Sequence, residues 1–359
     1  MDTYLGDLVF VESSNWSHSG VMADSQIVDD ATTWIILRIL MLVVTPTLSV
    51  MGVVGNCFSI AILTRQGLKK SSHILLVSLA VSDITYLVAF NSVPKIIYEV
   101  VGRRKFDCFS QGHCHVLFVL FVFFTYFDYV FWSTSFTLPT LITLERLVVI
   151  FFPLSCHRIV TPSRTWFAVS VVFLFWLSVF VYPSLWYKLR YVYFNGTGMS
   201  IGFLERADLY QNNANGIDAI ERLNIYLTIL VSPILTVVGC VVILIKVKLV
   251  SIKRKKMTKR EVSTNRTTKM LLAICGVYVV AASVSNLPLY LPDYFSISLT
   301  DASPTNMARV MYQVINIFAI INSSCNFVVY VVLNKSCRRT FWVIVLTCHR
   351  HRNNHKRRI

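Results

Sequence analysis

Seven apolar runs alternate with short polar segments along the chain, at roughly 34–64, 74–98, 115–151, 166–187, 223–248, 268–293 and 306–332. Each is long enough for the roughly 20 residues that cross a hydrocarbon core as a helix. Isolated strands would leave backbone groups unpaired in lipid, so the runs predict helices. Pro139, Pro183, Pro233 and Pro288 fall inside runs; bundled membrane helices tolerate them, because neighbouring groups re-satisfy the freed carbonyls. The expected fold is an all-α, seven-transmembrane helix bundle. It divides into a tail at 1–33, a membrane domain at 34–332, and a short amphipathic helix with a basic tail at 333–359. The stretch 334–348 is basic first and apolar after, too short to cross and suited to the interface. Cys348 beside it is either a palmitoylation site or a plain thiol.

Composition agrees with the runs. The residues AVILMFWYC make up 55% of the 359 and charged residues 14%. That is too little charge to solvate a soluble globule of this size. The net charge is +16, and position decides what it means. Most Lys and Arg residues follow runs one, three, five and seven. They include Arg65, Lys69 and Lys70, the cluster Lys253, Arg254, Lys255 and Lys256, and the basic end Lys356, Arg357 and Arg358. The acids of these segments are Glu145 and Glu261 alone. Residues 1–33 hold Asp2, Asp7, Glu12, Asp24, Asp29 and Asp30 and no Lys or Arg. They lack the basic start and early apolar stretch of a cleavable signal peptide. The positive-inside bias therefore puts the N-terminus outside and the C-terminus in the cytoplasm. Two glycosylation sequons, at Asn15 and Asn195, fall on the outer side. The basic clusters read as topology and anionic-lipid contacts rather than a nucleic-acid surface.

Polar groups inside lipid are costly, so each is a functional candidate. Run one holds Gly55-Asn56 and run two Leu79-Ala80-Val81-Ser82-Asp83. Run three ends Leu144-Glu145-Arg146-Leu147, followed by Pro153-Leu154. Run four has Trp176, run five Pro233, run six Leu287-Pro288, and run seven Asn322-Ser323-Ser324-Cys325-Asn326-Phe327-Val328-Val329-Tyr330. In this order the residues resemble the rhodopsin-like (class A) G-protein-coupled receptors over roughly 45–342. Phe152-Pro153-Leu154, Thr161-Pro162 and the Asn326 to Tyr330 stretch resemble invertebrate neuropeptide and chemosensory receptors in particular.

The resemblance implies a cell-surface receptor, not an enzyme, with an extracellular ligand, a heterotrimeric G protein and the bilayer as partners. The ligand class stays open between a peptide and a small chemosensory or amine-like molecule. Arg146 would rest against Glu145 and be freed to meet the G protein. Leu154 would dock on it, and Asn326 and Tyr330 would take part in activation, with Tyr330 swinging inward. Asp83, Ser135, Asn322, Ser323 and Asn326 match a buried sodium pocket, the one ion implied and no other cofactor. The alternative is a protonated Asp83 bonded to Asn56 and Asn326. Four residues depart from the family: Phe327 stands for a usual Pro, Asn286 for a Trp, Val241 for a Tyr and Leu147 for a Tyr. These bear on the activation relay more than on the fold.

The segment 188–222 has no Cys, so the family's disulfide to that loop cannot form. Cys108 and Cys114 then either pair with each other or stay as thiols. Asp128 lies 18 residues, five helical turns, before Arg146, about 27 Å along the axis. Amine receptors bind their ligand with an Asp at the matching position. Run five, however, offers Ile225, Tyr226 and Ile229 rather than hydroxyls for a catechol, and run seven has Ile320 where those receptors have Tyr. Asp128 is therefore either a contact for a cationic ligand group or a carboxylate paired with a neighbouring side chain or water. Run seven has no Lys for a retinal Schiff base, and there is no repeat of a transporter and no His-Glu-x-x-His motif.

Overall fold

The computed structural model describes residues 29–97, 105–108, 111–185, 187–194, 199–257, 265–285, 287, 306–333 and 338–343. Helix α1 spans Asp30–Gln66, α2 Ser71–Phe90, α3 Gln111–Phe151, α4 Pro162–Ser184, α5 Ser232–Met257, α6 Asn265–Ser285 and α7 Asn306–Leu333. Six of these carry stretches long and apolar enough to cross a bilayer, and α6 adds a shorter apolar stretch at Gly276–Ser285. The seven runs thus correspond to seven helices of a transmembrane bundle, of which the sixth is described as far as Ser285.

Local chemistry sets where helices start, stop and deform. The Asp29 carboxylate accepts from the Thr32 N–H at 3.2 Å, satisfying one orphan donor at the start of α1. The Thr32 side chain, and after it this N–H bond, hold the Asp29 carboxyl below its usual range. Gly67, at φ 89°, closes α1, and its N–H bonds the Thr64 carbonyl at 3.1 Å; this left-handed conformation is one that glycine adopts without a Cβ penalty. Run two is interrupted: α2 ends at Phe90, and a separate turn, Val93–Ile96, follows with Pro94 at its start. The residue before a proline is pushed out of the helical region. Two π-helical segments, Leu40–Val44 and Ile225–Val231, immediately precede the stretches that open with Pro46 and Pro233. A proline has no N–H for the preceding turn, and a wider turn absorbs the mismatch.

Helix α3 lies at the centre and touches α2, α4, α5 and α6, while α7 closes the ring against α1 and α6. Close approach is built on small residues. A Cβ on Gly52 would lie 2.3 Å from Ser324 Oγ and 2.7 Å from Leu87 Cδ1, and one on Gly55 2.9 Å from Phe327 Cβ. One apolar cluster joins Leu63, Leu75, Leu79, Leu138, Ile142 and Tyr330, and a second joins Tyr86, Leu87, Phe90, Phe136, Tyr278 and Ile320. Outside the bundle, Val50, Met51, Phe167 and Leu174 are exposed, as a lipid-facing belt requires and a water-facing surface would not tolerate.

The segment 188–222, expected as a loop, instead contributes strands. β1 (Lys105–Cys108), β2 (Tyr187–Phe194) and β3 (Met199–Arg206) form an antiparallel sheet in the order β1-β3-β2, with Cys108 opposite Ser200 and Tyr191 opposite Gly202. Along β2 Lys188 and Arg190 are the more exposed while Leu189 and Tyr191 are packed on the bundle. That is the period-2 alternation of a strand with one covered face. Leu189 and Tyr191 cover Cys114 and Phe121 at the start of α3.

Gly52→Val is expected to lower the melting temperature of the purified protein, because a branched side chain there collides with Ser324 and Leu87; overpacking costs about 1–3 kcal/mol. Gly276→Ala, at a position with nothing within 4 Å, is expected to leave it unchanged. Equal melting of Gly52→Val and the wild type would contradict the packing described.

Candidate functional site

Three polar stations lie along the length of α3, two on the helix itself and one on α2 facing it. The first is Asp128, near the end that carries the sheet. It forms an ion pair with Lys95 of the Val93–Ile96 turn, and the two side chains are only 8% and 7% exposed. Asp128 Oδ2 takes the ammonium, while Oδ1 has no hydrogen-bond partner among the described residues. The Lys95 Nζ also sits 4.2 Å from the centre of the Phe90 ring, within cation–π range. The sequence left Asp128 open between a ligand contact and a paired carboxylate, and the structure holds the pair. Its partner Lys95 is the lone lysine within run two, which is the sequence signal for this pair.

The second station is Asp83, fully buried at mid-bundle. Ser135 Oγ donates to Oδ1 and Asn326 Nδ2 donates to Oδ2, the latter at 2.7 Å. The Ser323 side chain reaches the same carboxyl. Asn322 is buried nearby on α7, with no bond to Asp83 among the described residues. Asn56 does not bond Asp83: its Nδ2 donates to the Ser323 carbonyl at 2.9 Å, and its Oδ1 is buried without a partner among the described residues. Four of the five residues expected to share a pocket therefore meet around one carboxyl.

The third station is the Glu145–Arg146 pair at the far end of α3. Arg146 Nε lies 3.1 Å from Glu145 Oε2, yet neither atom makes a hydrogen bond among the described residues. The pair is close in charge but poorly aligned. Just beyond it, Leu154 is 95% exposed. The chain that follows is fixed by Arg164, whose Nη1 donates to the Arg158 carbonyl at 2.7 Å. Tyr330 is buried in the apolar cluster beside α2 and α3.

The chain matches, over residues 43–348, the family described as serpentine type 7TM GPCR chemoreceptor Srw. The chain belongs to this family of G-protein-coupled receptors. It is 24% identical over 303 residues to an FMRFamide receptor of Drosophila melanogaster, covering 82% of this chain and 52% of that one. It is 23% identical over 319 residues to a probable G-protein coupled receptor of Caenorhabditis elegans, covering 83% and 67%. The chain thus spans about half the length of the first relative.

As a chemoreceptor-family member, it is a multi-pass membrane protein of a receptor class. Its departures have visible places. Phe327 fills the space over Gly55 and stacks with Phe58 at 5.8 Å between ring centres; α7 stays helical through it. Val241 is exposed on the outer surface of α5, away from the interior. Leu147 packs towards Gly239. Asn286, Asn15, Asn195 and Cys348 lie outside the described residues. Cys114 is disulfide-bonded, and its sulfur lies against Gly202; the side chain of Cys108 lies outside the described residues. Sequence reading also missed the polar contacts that fasten α3 to its neighbours. Trp176 Nε1 donates to Thr137 Oγ1 at 3.1 Å, Thr140 Oγ1 donates to the Ser232 carbonyl at 3.1 Å, and Tyr278 OH donates to the Phe136 carbonyl at 2.8 Å.

Proposed function

We propose that this chain is a plasma-membrane receptor, with its N-terminus outside, that binds an extracellular peptide and activates a heterotrimeric G protein. The observation that carries the signalling half is the misaligned Glu145–Arg146 pair beside the 95% exposed Leu154. An ion pair without hydrogen bonds is held by little more than proximity, so Arg146 is readily freed. Leu154 is exposed together with Phe152 just past the end of α3, and neighbouring exposed apolar side chains there suit a protein partner. The peptide class is supported by the likeness to an FMRFamide receptor. The family's chemoreceptor description favours a second reading, a small diffusible ligand.

The residues around Asp83 fit a sodium ion. Both carboxyl oxygens accept hydrogen bonds, which suits the charged form, and the Ser135 hydroxyl and the Asn326 amide bring further oxygens beside the same carboxyl. Asp83, Ser135, Asn322, Ser323 and Asn326 would hold the ion, whose charge would let the buried carboxylate stay ionised.

In cells reporting G-protein activation, a short-peptide panel is expected to elicit a signal that Arg146→Ala abolishes at unchanged surface expression. Undiminished signalling by that variant would remove the coupling role. Raising sodium at constant ionic strength is expected to weaken agonist binding in the wild type and not in Asp83→Asn. Equal sodium dependence in the two would place the effect elsewhere.

A further inference from the structure

Lys95 and Asp128 form a closed ion pair between the turn after α2 and the middle of α3, almost wholly removed from solvent. Removing one member of such a pair leaves an uncompensated buried charge, which is strongly destabilising. The surroundings are those of a cation site. One carboxylate oxygen holds the ammonium and the other has no partner among the described residues. The Phe90 ring lies against the charge at 4.2 Å, and Tyr86 packs beside Phe90 at 6.0 Å. The Tyr86 hydroxyl is itself buried without a hydrogen-bond partner among the described residues and lies within electrostatic reach of Asp128.

We propose that the Lys95 ammonium is a built-in occupant of a cation site on Asp128, and that it sets ligand specificity by barring primary alkyl- and arylalkylamines from that carboxylate. Shortening Lys95 opens the site to a primary ammonium group. The site requires a cation that donates N–H bonds, because the lysine it replaces does so at Asp128 Oδ2. The Phe90 ring faces the charge itself, because Lys95 Nζ lies 4.2 Å from its centre, so the ring favours a cationic head at this point. This inference goes beyond the peptide-receptor reading and does not depend on coupling to a G protein.

The test uses the purified full-length receptor in detergent, with melting temperature as the readout. Lys95→Ala removes the outer methylenes and the ammonium, so n-propylammonium is the matching probe. The variant is expected to melt several degrees below the wild type and to recover saturably as n-propylammonium is added at constant ionic strength. Tetramethylammonium, which has no N–H, and sodium chloride are expected to give no recovery. The wild type and Lys95→Ala/Asp128→Asn are expected not to respond to the probe. Recovery with tetramethylammonium or salt, or a wild type that responds as strongly as Lys95→Ala, would overturn the proposal. So would a folded Lys95→Ala with no response. Where Lys95→Ala does not survive purification even with the probe present, Lys95→Met/Asp128→Asn decides: the proposal requires this neutral pair to be more stable than Asp128→Asn or Lys95→Met alone, and no gain would overturn it.

Discussion

In lipid, a polar group has no water to fall back on, so each buried one must find its partner inside the bundle. That constraint organises this receptor around α3. The helix is surrounded by α2, α4, α5 and α6, and hydroxyls facing its neighbours tie it in place through Thr137, Thr140 and Ser133. Apolar packing supplies the bulk of each contact, but the polar bonds fix the rotation of each helix about its axis. A rotated α3 would carry Ser135 away from Asp83 and Asp128 away from Lys95.

The three stations along α3, with Asp83 facing it from α2, differ in how well they are satisfied. Asp83 has both carboxyl oxygens engaged by donors from two other sites on the bundle. Asp128 has one oxygen engaged. Glu145 and Arg146 have proximity without hydrogen-bond geometry. The least satisfied pair is the one beside the exposed Leu154, where a partner protein would need to reach it. Elements that switch are drawn from the weakly held parts of a fold.

The helices were legible because a membrane imposes a length and composition on each, and the Asp83 cluster was legible because polar residues stand out within apolar runs. Lys95 was not read as the partner of Asp128 because their meeting depends on the break at Asn91-Ser92 and on the turn that follows, neither of which a hydropathy run reveals. The sheet was missed for a related reason: the alternation of Lys188, Leu189, Arg190 and Tyr191 was present, but it lies between runs, where bilayer reasoning gives no guidance. The packing of Phe327 over Gly55 required the α1–α7 distance, which no single segment specifies.

The receptor reading rests on which end of α3 faces the cytoplasm, and an epitope tag at the C-terminus measures that directly. With Arg146 inside, antibody stains the tag only after cells are permeabilised, while a glycosidase shifts the mass of the protein through glycans at Asn15 or Asn195. Staining of the tag on intact cells would place Arg146 outside and contradict signalling through a G protein.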